Sequence, residues 1–163
     1  MNDDLLSQDG LLEKAVAFHK QQQYSQAEEF YRKVLSVNPK NVSANFYMGL
    51  LAFQLSNPQV SLVFLLETLK LDQQHIRAHY YLARVLVQMG NLEKAIEALQ
   101  LTIQLDPLWS SPYVLLGTLY RNQGLPLEAI AVCKTAKERG IDDVKISINR
   151  ANCLLHIGEV EEA

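Results

Sequence analysis

The sequence predicts an all-α protein, a solenoid of antiparallel helix pairs with four full repeats and a partial fifth. Three observations carry that prediction. Small residues recur 34 apart in two ladders: Ala27, Ser61, Ala95, Ala129, Ala163 and Ala15, Gly49, Ala83, Gly117, Ala151. Larger apolar residues between the rungs are spaced by three and four, the period of a helix that buries one face. Glycine, proline, serine and asparagine punctuate the chain between those runs. A fixed period of this length marks an architecture in which each unit buries its apolar face by stacking on the next.

The elements follow in order. Leu11, Ala15 and Phe18 give the first helix of the first unit, and Tyr24, Ala27, Tyr31 and Val34 its second, before Pro39. In the second unit Gly49 and Ser61 flank the break at Ser56-Asn57-Pro58. The third unit reads His79, Leu82, Ala83, Leu86, breaks at Gly90-Asn91, and resumes as Leu92, Ala95, Leu99, Thr102 before Pro107. The fourth reads Tyr113, Leu116, Gly117, Tyr120, breaks at Gly124-Leu125-Pro126, and continues with Ala129, Cys133, Ala136. Pro58 and Pro126 fall at the first turn of a helix, where the missing N–H has no partner to lose. The small rungs have a packing reason, because two helices approach to about 8–10 Å only where the side chains at their crossing are small. In the fifth unit a helix is expected from Val144 to about Ile157, with Gly158 as the break and Glu159, Glu161 and Glu162 opening a second helix. Ala163 sits on the ladder itself, so the chain reads as the N-terminal segment of a longer protein, with apolar surface at that end open to homo-association.

These residues resemble the tetratricopeptide repeat (TPR), a 34-residue helix–turn–helix with the pattern W-x2-L-G-x2-Y, A-x3-F and P. The resemblance runs from about Gln8 to the end, with units at 8–41, 42–75, 76–109, 110–143 and a partial 144–163 in one domain. The third unit matches best. The second departs most, with Asn45 at the Trp position, Ser61 on the alanine ladder and Gln73 for the proline. Lys14 and Arg150 replace a usually apolar residue in the outer repeats, which suits solvated ends.

Composition narrows the function classes. The chain has 163 residues and a formal net charge of -3, with Lys and Arg scattered, so nothing points to nucleic acid. The start, Met1-Asn2-Asp3-Asp4, is unlike a secretory signal, and the most apolar run, Val60 to Leu66, is far shorter than the roughly 20 residues of a membrane span. The sequence therefore reads as cytoplasmic. His75 and His79 have the i,i+4 spacing of a helical metal pair but lack a third ligand, so no metal or other cofactor is expected. Cys133 and Cys153 read as buried small hydrophobes. Asp142-Asp143 and Glu161-Glu162 read as helix-start or surface charges. No phosphate loop, H-E-x-x-H, C-x-x-C or nucleophile elbow is present, so the chain is expected not to be an enzyme.

The TPR resemblance implies a right-handed superhelix whose concave face is lined by the first helix of each unit, and a bacterial protein-binding role. Projected on that plan, the groove rows are Leu12, Phe46, Tyr80, Val114, Ile148; Glu13, Tyr47, Tyr81, Leu115, Asn149; Val16, Leu50, Arg84, Thr118, Asn152; and His19, Phe53, Val87, Arg121, Leu155. The expected partner-binding residues are Phe46, Tyr47, Leu50, Phe53, Arg77, Tyr80, Tyr81, Arg84, Val114 and Arg121, for a protein or peptide ligand of apolar or aromatic character. Phe46 and Tyr80 also suit generic packing. The carboxylate clamp of chaperone-binding TPRs would need its polar set at Leu12, Val16, Tyr47, Arg77 and Tyr81, where only Arg77 fits. The asparagine ladder of O-GlcNAc-transferase-type solenoids would fall at Glu13, Tyr47, Tyr81, Leu115 and Asn149, where only Asn149 matches. The opening, Ala15 to His19 and then Gln26 to Leu35, is also similar to the arms of bacterial TPR-fused glycosyltransferases and sulfotransferases. A substrate-recruiting or oligomerisation arm of a larger enzyme is thus the alternative to a free-standing, non-catalytic scaffold.

Overall fold

The computed structural model describes residues 7–161 and divides into two compact units, the first ending at Met89 and the second beginning at Gly90. The first unit holds α1 (Gln8–Lys20), α2 (Tyr24–Val37), α3 (Val42–Gln54), α4 (Pro58–Leu71) and α5 (Ile76–Gln88). The second holds α6 (Leu92–Leu105), α7 (Ser110–Asn122), α8 (Pro126–Glu138) and α9 (Val144–Glu161). Among the described residues there is no strand, and the helix pairs fall within the expected repeat bounds.

The same 34-residue period organises the helix ends. Ser7, Asn41 and His75 cap the first helices of the first three repeats, accepting from the N–H three residues on. Asn57 and Asn91 do the same for α4 and α6. Such side-chain acceptors satisfy N–H groups that a helix start leaves without an intrahelical partner. Asn38, Asp72 and Asp106 each accept from the N–H two residues on, bending the chain after the second helix. Pro58 and Pro126 occupy the first turn as expected. Two residues before the second helix of each of the first four repeats the backbone is left-handed, at Gln22 (φ 60°), Ser56 (57°), Gly90 (76°) and Gly124 (73°). Only the last two are glycines, so packing imposes this backbone on Gln22 and Ser56 against their preference.

Most small rungs among the described residues are buried, whereas Ala151 is exposed. Ala15, Ala27, Ser61, Ala83, Ala95 and Ala129 are fully buried. In the second repeat, the Ser61 hydroxyl donates to the Gly49 carbonyl at 2.7 Å, so the departure from alanine adds a bond between α3 and α4. A Cβ at Gly49 would stand 2.9 Å from Leu65 Cγ, so any side chain at this rung would force Leu65 to shift. At Gly117 the nearest atom, Asn149 Nδ2, would be 3.7 Å away, an ordinary contact. Replacing the fully buried Ala95 by leucine is expected to overpack its surroundings and cost on the order of 1–3 kcal/mol. Thermal denaturation followed by circular dichroism checks this, and an unchanged melting temperature would contradict the repeat register.

Cores form inside each unit. Leu11, Phe30, Tyr31, Val34, Met48 and Leu51 pack α1 and α2 on α3. Phe46, Leu50, Leu65, Ala78 and Val85 join α3, α4 and α5. In the second unit Tyr113, Cys133, Ala136 and Ile146 bring together α7, α8 and α9. The end of the chain differs from expectation: α9 continues through Gly158 to Glu161. A glycine inside a helix costs only about 1 kcal/mol relative to alanine. It breaks the helix where a packed second helix rewards the turn, and none follows within the described residues; Ala163 lies outside them.

Candidate functional site

The first helices α3 and α5 supply the aromatic residues singled out in the sequence, and the first unit brings them together. Tyr31 and Tyr47 stack with centroids 5.7 Å apart, and Tyr47 meets Phe46 at 5.3 Å. Phe46 meets Tyr81 at 6.0 Å, and Tyr81 in turn meets Phe53 at 5.7 Å and Tyr80 at 5.6 Å. Most are edge-on contacts, the arrangement favoured by ring quadrupoles. Two guanidinium groups lie on this run of rings. Arg77 is 5.3 Å from the Phe46 centroid, and Arg84 is 4.5 Å from Phe53, 5.5 Å from Tyr81 and 5.8 Å from Tyr80.

Exposure sorts the expected binding residues. Tyr47, Phe53, Tyr80, Tyr81 and Arg84 are half-buried and Arg77 is exposed. Phe46 and Leu50 are only 3% and 7% exposed, so they form the floor beneath the others instead of lining a groove. Their rows on an idealised helix line the groove, but both residues pack with Leu65, Ala78 and Val85 in the core. Beside Tyr47, a cleft of about 450 Å³ is lined by Leu12, Glu13, Val16 and Lys20 of α1.

Val114 and Arg121 belong to the second unit, whose first helices carry no matching rings. Val114 is half-buried against the Tyr113 core. Arg121 Nη1 donates to Asn149 Oδ1 at 3.1 Å, while Asn149 Nδ2 donates to the Val114 carbonyl and to Thr118 Oγ1, each at 3.1 Å. Asn149, the single match to the asparagine ladder, is thus buried and used internally.

The other candidate groups have structural partners. His75 caps α5 through Nδ1, and its ring lies 4.6 Å from Phe46. Burial lowers its pKa below the ordinary histidine value, against an opposing pull from Asp72. His79 is half-buried rather than a core residue, and its Nε2–H donates to the Gln73 carbonyl at 2.9 Å. Both cysteines are buried, and burial pushes each thiol up, away from the reactive thiolate.

Two features escaped the sequence reading. His19, expected in a groove row, is buried; its Nε2–H donates to Gln54 Oε1 at 2.7 Å and its Nδ1 accepts from the Tyr31 hydroxyl at 3.0 Å. The tautomer follows from the glutamine oxygen, which can only accept. In addition, the residue at the Trp position latches the preceding loop in three repeats. Asn45 donates to the Pro39 carbonyl, His79 to Gln73 and Tyr113 to Pro107, all at 2.9 Å and all six residues back. The shared signal was a polar group at one repeat position in three different residue types.

Comparison with known proteins accords with this architecture. The model of the family described as anaphase-promoting complex, cyclosome, subunit 3 matches residues 20–102. Among solved structures, the chain is similar to a MamA protein with a TM-score of 0.83 at 21% identity, covering 95% of this chain and 85% of that one. It is similar to MamA from Desulfovibrio magneticus RS-1 with a TM-score of 0.76 at 23% identity, covering 84% and 78%. It also matches an O-GlcNAc transferase mutant from Thermobaculum terrenum, with a TM-score of 0.74 at 23% identity, covering 85% of this chain but 27% of that one. At these identities the likeness is one of fold. Among curated proteins, none matches this sequence.

Proposed function

The chain belongs to the anaphase-promoting complex, cyclosome, subunit 3 family, of tetratricopeptide type, and from that premise we propose that it is a non-catalytic scaffold whose first unit holds a segment of a partner protein. One observation carries this reading: a continuous run of rings on α3 and α5, half-buried except for the buried Phe46 that joins them, with Arg77 and Arg84 set among them. Tyrosine and phenylalanine offer large, rigid contact area at small entropic cost, and such residues dominate interface energies. Phe46 and Leu50 support the rings from below, so the surface is preorganised. We place the partner segment across Tyr47, Phe53, Tyr80 and Tyr81. Val114 and Arg121 lie in the second unit and are engaged there with Asn149.

Affinity capture with the full chain tests the reading. Tyr80→Ala combined with Tyr81→Ala is expected to weaken the captured partner by at least about tenfold, the effect of losing one or more anchor residues, with helicity by circular dichroism unchanged. Equal capture by the double variant would remove these rings from the site.

A second reading keeps the binding surface but makes the chain an arm of a larger enzyme. The similarity to a transferase of which it covers 27% motivates it. The mass of the native protein detected in its own cells discriminates the two, since an arm would migrate well above the 18.5 kDa of this chain.

A further inference from the structure

We propose that Arg84 anchors an aspartate or glutamate side chain of the bound segment, so that the first unit's partner is an acidic residue set within an apolar or aromatic run. This rests on the binding role proposed above and names the chemistry of its ligand.

The geometry at Arg84 supplies the first argument. Phe53, Tyr81 and Tyr80 surround the guanidinium within 4.5–5.8 Å. Ring contacts engage the π-face of the group and leave its in-plane N–H donors available. Among the described residues the contacts of Arg84 are with rings, and neither a carboxylate within ion-pair distance nor a hydrogen-bond acceptor for its N–H groups is found among them. Three other arginines differ: Arg32 pairs with Glu28, Arg121 donates to Asn149, and Arg139 donates to the Tyr113 hydroxyl; Arg77 and Arg150, unlike Arg84, are exposed to solvent. Arg84 is thus held in a fixed orientation by rings while its donors face no internal acceptor. A guanidinium so presented matches a carboxylate through two parallel bonds, shielded by the aromatic walls.

Charge supplies the second argument. The whole chain carries a net -3, yet α3 and α5 contain no aspartate or glutamate and carry Arg77 and Arg84. The surface around the rings is therefore locally cationic on an acidic protein, and it favours an anionic partner. A side-chain carboxylate fits better than a chain terminus. A terminus would bring its backbone polar groups against the ring faces of Phe53 and Tyr81, which offer them no strong partner. A side chain reaches Arg84 on its own methylene stem and leaves its backbone at the rim.

The test uses the full chain and a random-peptide phage library. Selected peptides are expected to carry an Asp or Glu beside aromatic or aliphatic residues and to lose binding to the Tyr81→Ala variant. A fluorescent copy of the strongest peptide is then measured by anisotropy, alongside a copy with its acid replaced by the amide. Amide replacement is expected to weaken binding about tenfold on the wild type and by less than about threefold on Arg84→Gln, the mark of a coupled pair. Arg84→Lys, which keeps the charge and loses the fork, should fall between them; it also serves if Arg84→Gln does not fold by circular dichroism. Equal amide effects on wild type and the Arg84 variants, or Tyr81-dependent peptides without acids, overturn the assignment and leave the binding role standing. If no selected peptide depends on Tyr81, the binding role falls and the assignment with it.

Discussion

Replacing Tyr31 by alanine is expected to destabilise the first unit by about 3–5 kcal/mol, the range for deleting a buried aromatic ring. Tyr31 is fully buried, stacks on Tyr47 with the rings 5° from parallel, and donates its hydroxyl proton to His19. The substitution would leave a cavity, unseat Tyr47 and strand His19 Nδ1 without a donor. Tyr31→Phe keeps the ring and loses the hydrogen bond, so it should cost about 1–3 kcal/mol. Urea denaturation of the three proteins checks both, and near-equal midpoints would contradict the packing. Burial pushes the Tyr31 phenol well above the ordinary tyrosine range, with Tyr47 adding to the rise. Because the folded pKa lies above the unfolded one, the stabilising contribution is whole below the unfolded value of about 10 and is lost as pH rises beyond it. The wild type should therefore weaken above that pH more steeply than Tyr31→Phe.

In the second unit the largest expected effect belongs to Tyr113→Ala, again about 3–5 kcal/mol. Tyr113 is 2% exposed, its hydroxyl donates to the Pro107 carbonyl, and Arg139 donates to that hydroxyl while lying 5.8 Å from the ring. Losing the side chain removes a core ring, frees the loop before α7 and leaves Arg139 unpaired. Tyr113→Phe isolates the latch and should cost about 1–3 kcal/mol, because one of its two bonds involves a charged donor. Hydrogen exchange read by mass spectrometry should show lost protection in α7 and α8 for the alanine variant. Full protection there would refute the role given to Tyr113.

The helix pairs were legible in the sequence because packing at the crossings acts on residue size, and size is visible in Ala27, Ser61, Ala95 and Ala129. The turns were legible for a related reason, although Gln22 and Ser56 look nothing like left-handed residues and yield to the period alone. The site was legible only in part. Helical projection put Phe46 and Leu50 on the binding face, but whether a neighbour covers a residue depends on α4 and α5, which a projection of one helix leaves out. Arg121 looked available until Asn149, 28 residues on, came within reach. The latches of Asn45, His79 and Tyr113 depend on the path of a loop, and no spacing within a helix encodes that. Gly158 had the right period for a break, yet α9 runs through it to Glu161.

The caps, bends and latches share one property: each reaches a partner two, three or six residues away in the chain. At about 5–20 residues per second, a ribosome takes about 2–7 s to release one 34-residue repeat. Helical pieces rich in local contacts form in microseconds to milliseconds. A newly made repeat can therefore settle the polar groups at its helix ends long before its successor emerges. What remains open is its apolar flank, and the next hairpin covers it in turn. Synthesis order and stacking order then coincide, which limits the time that sticky surface spends exposed to one repeat's worth of translation.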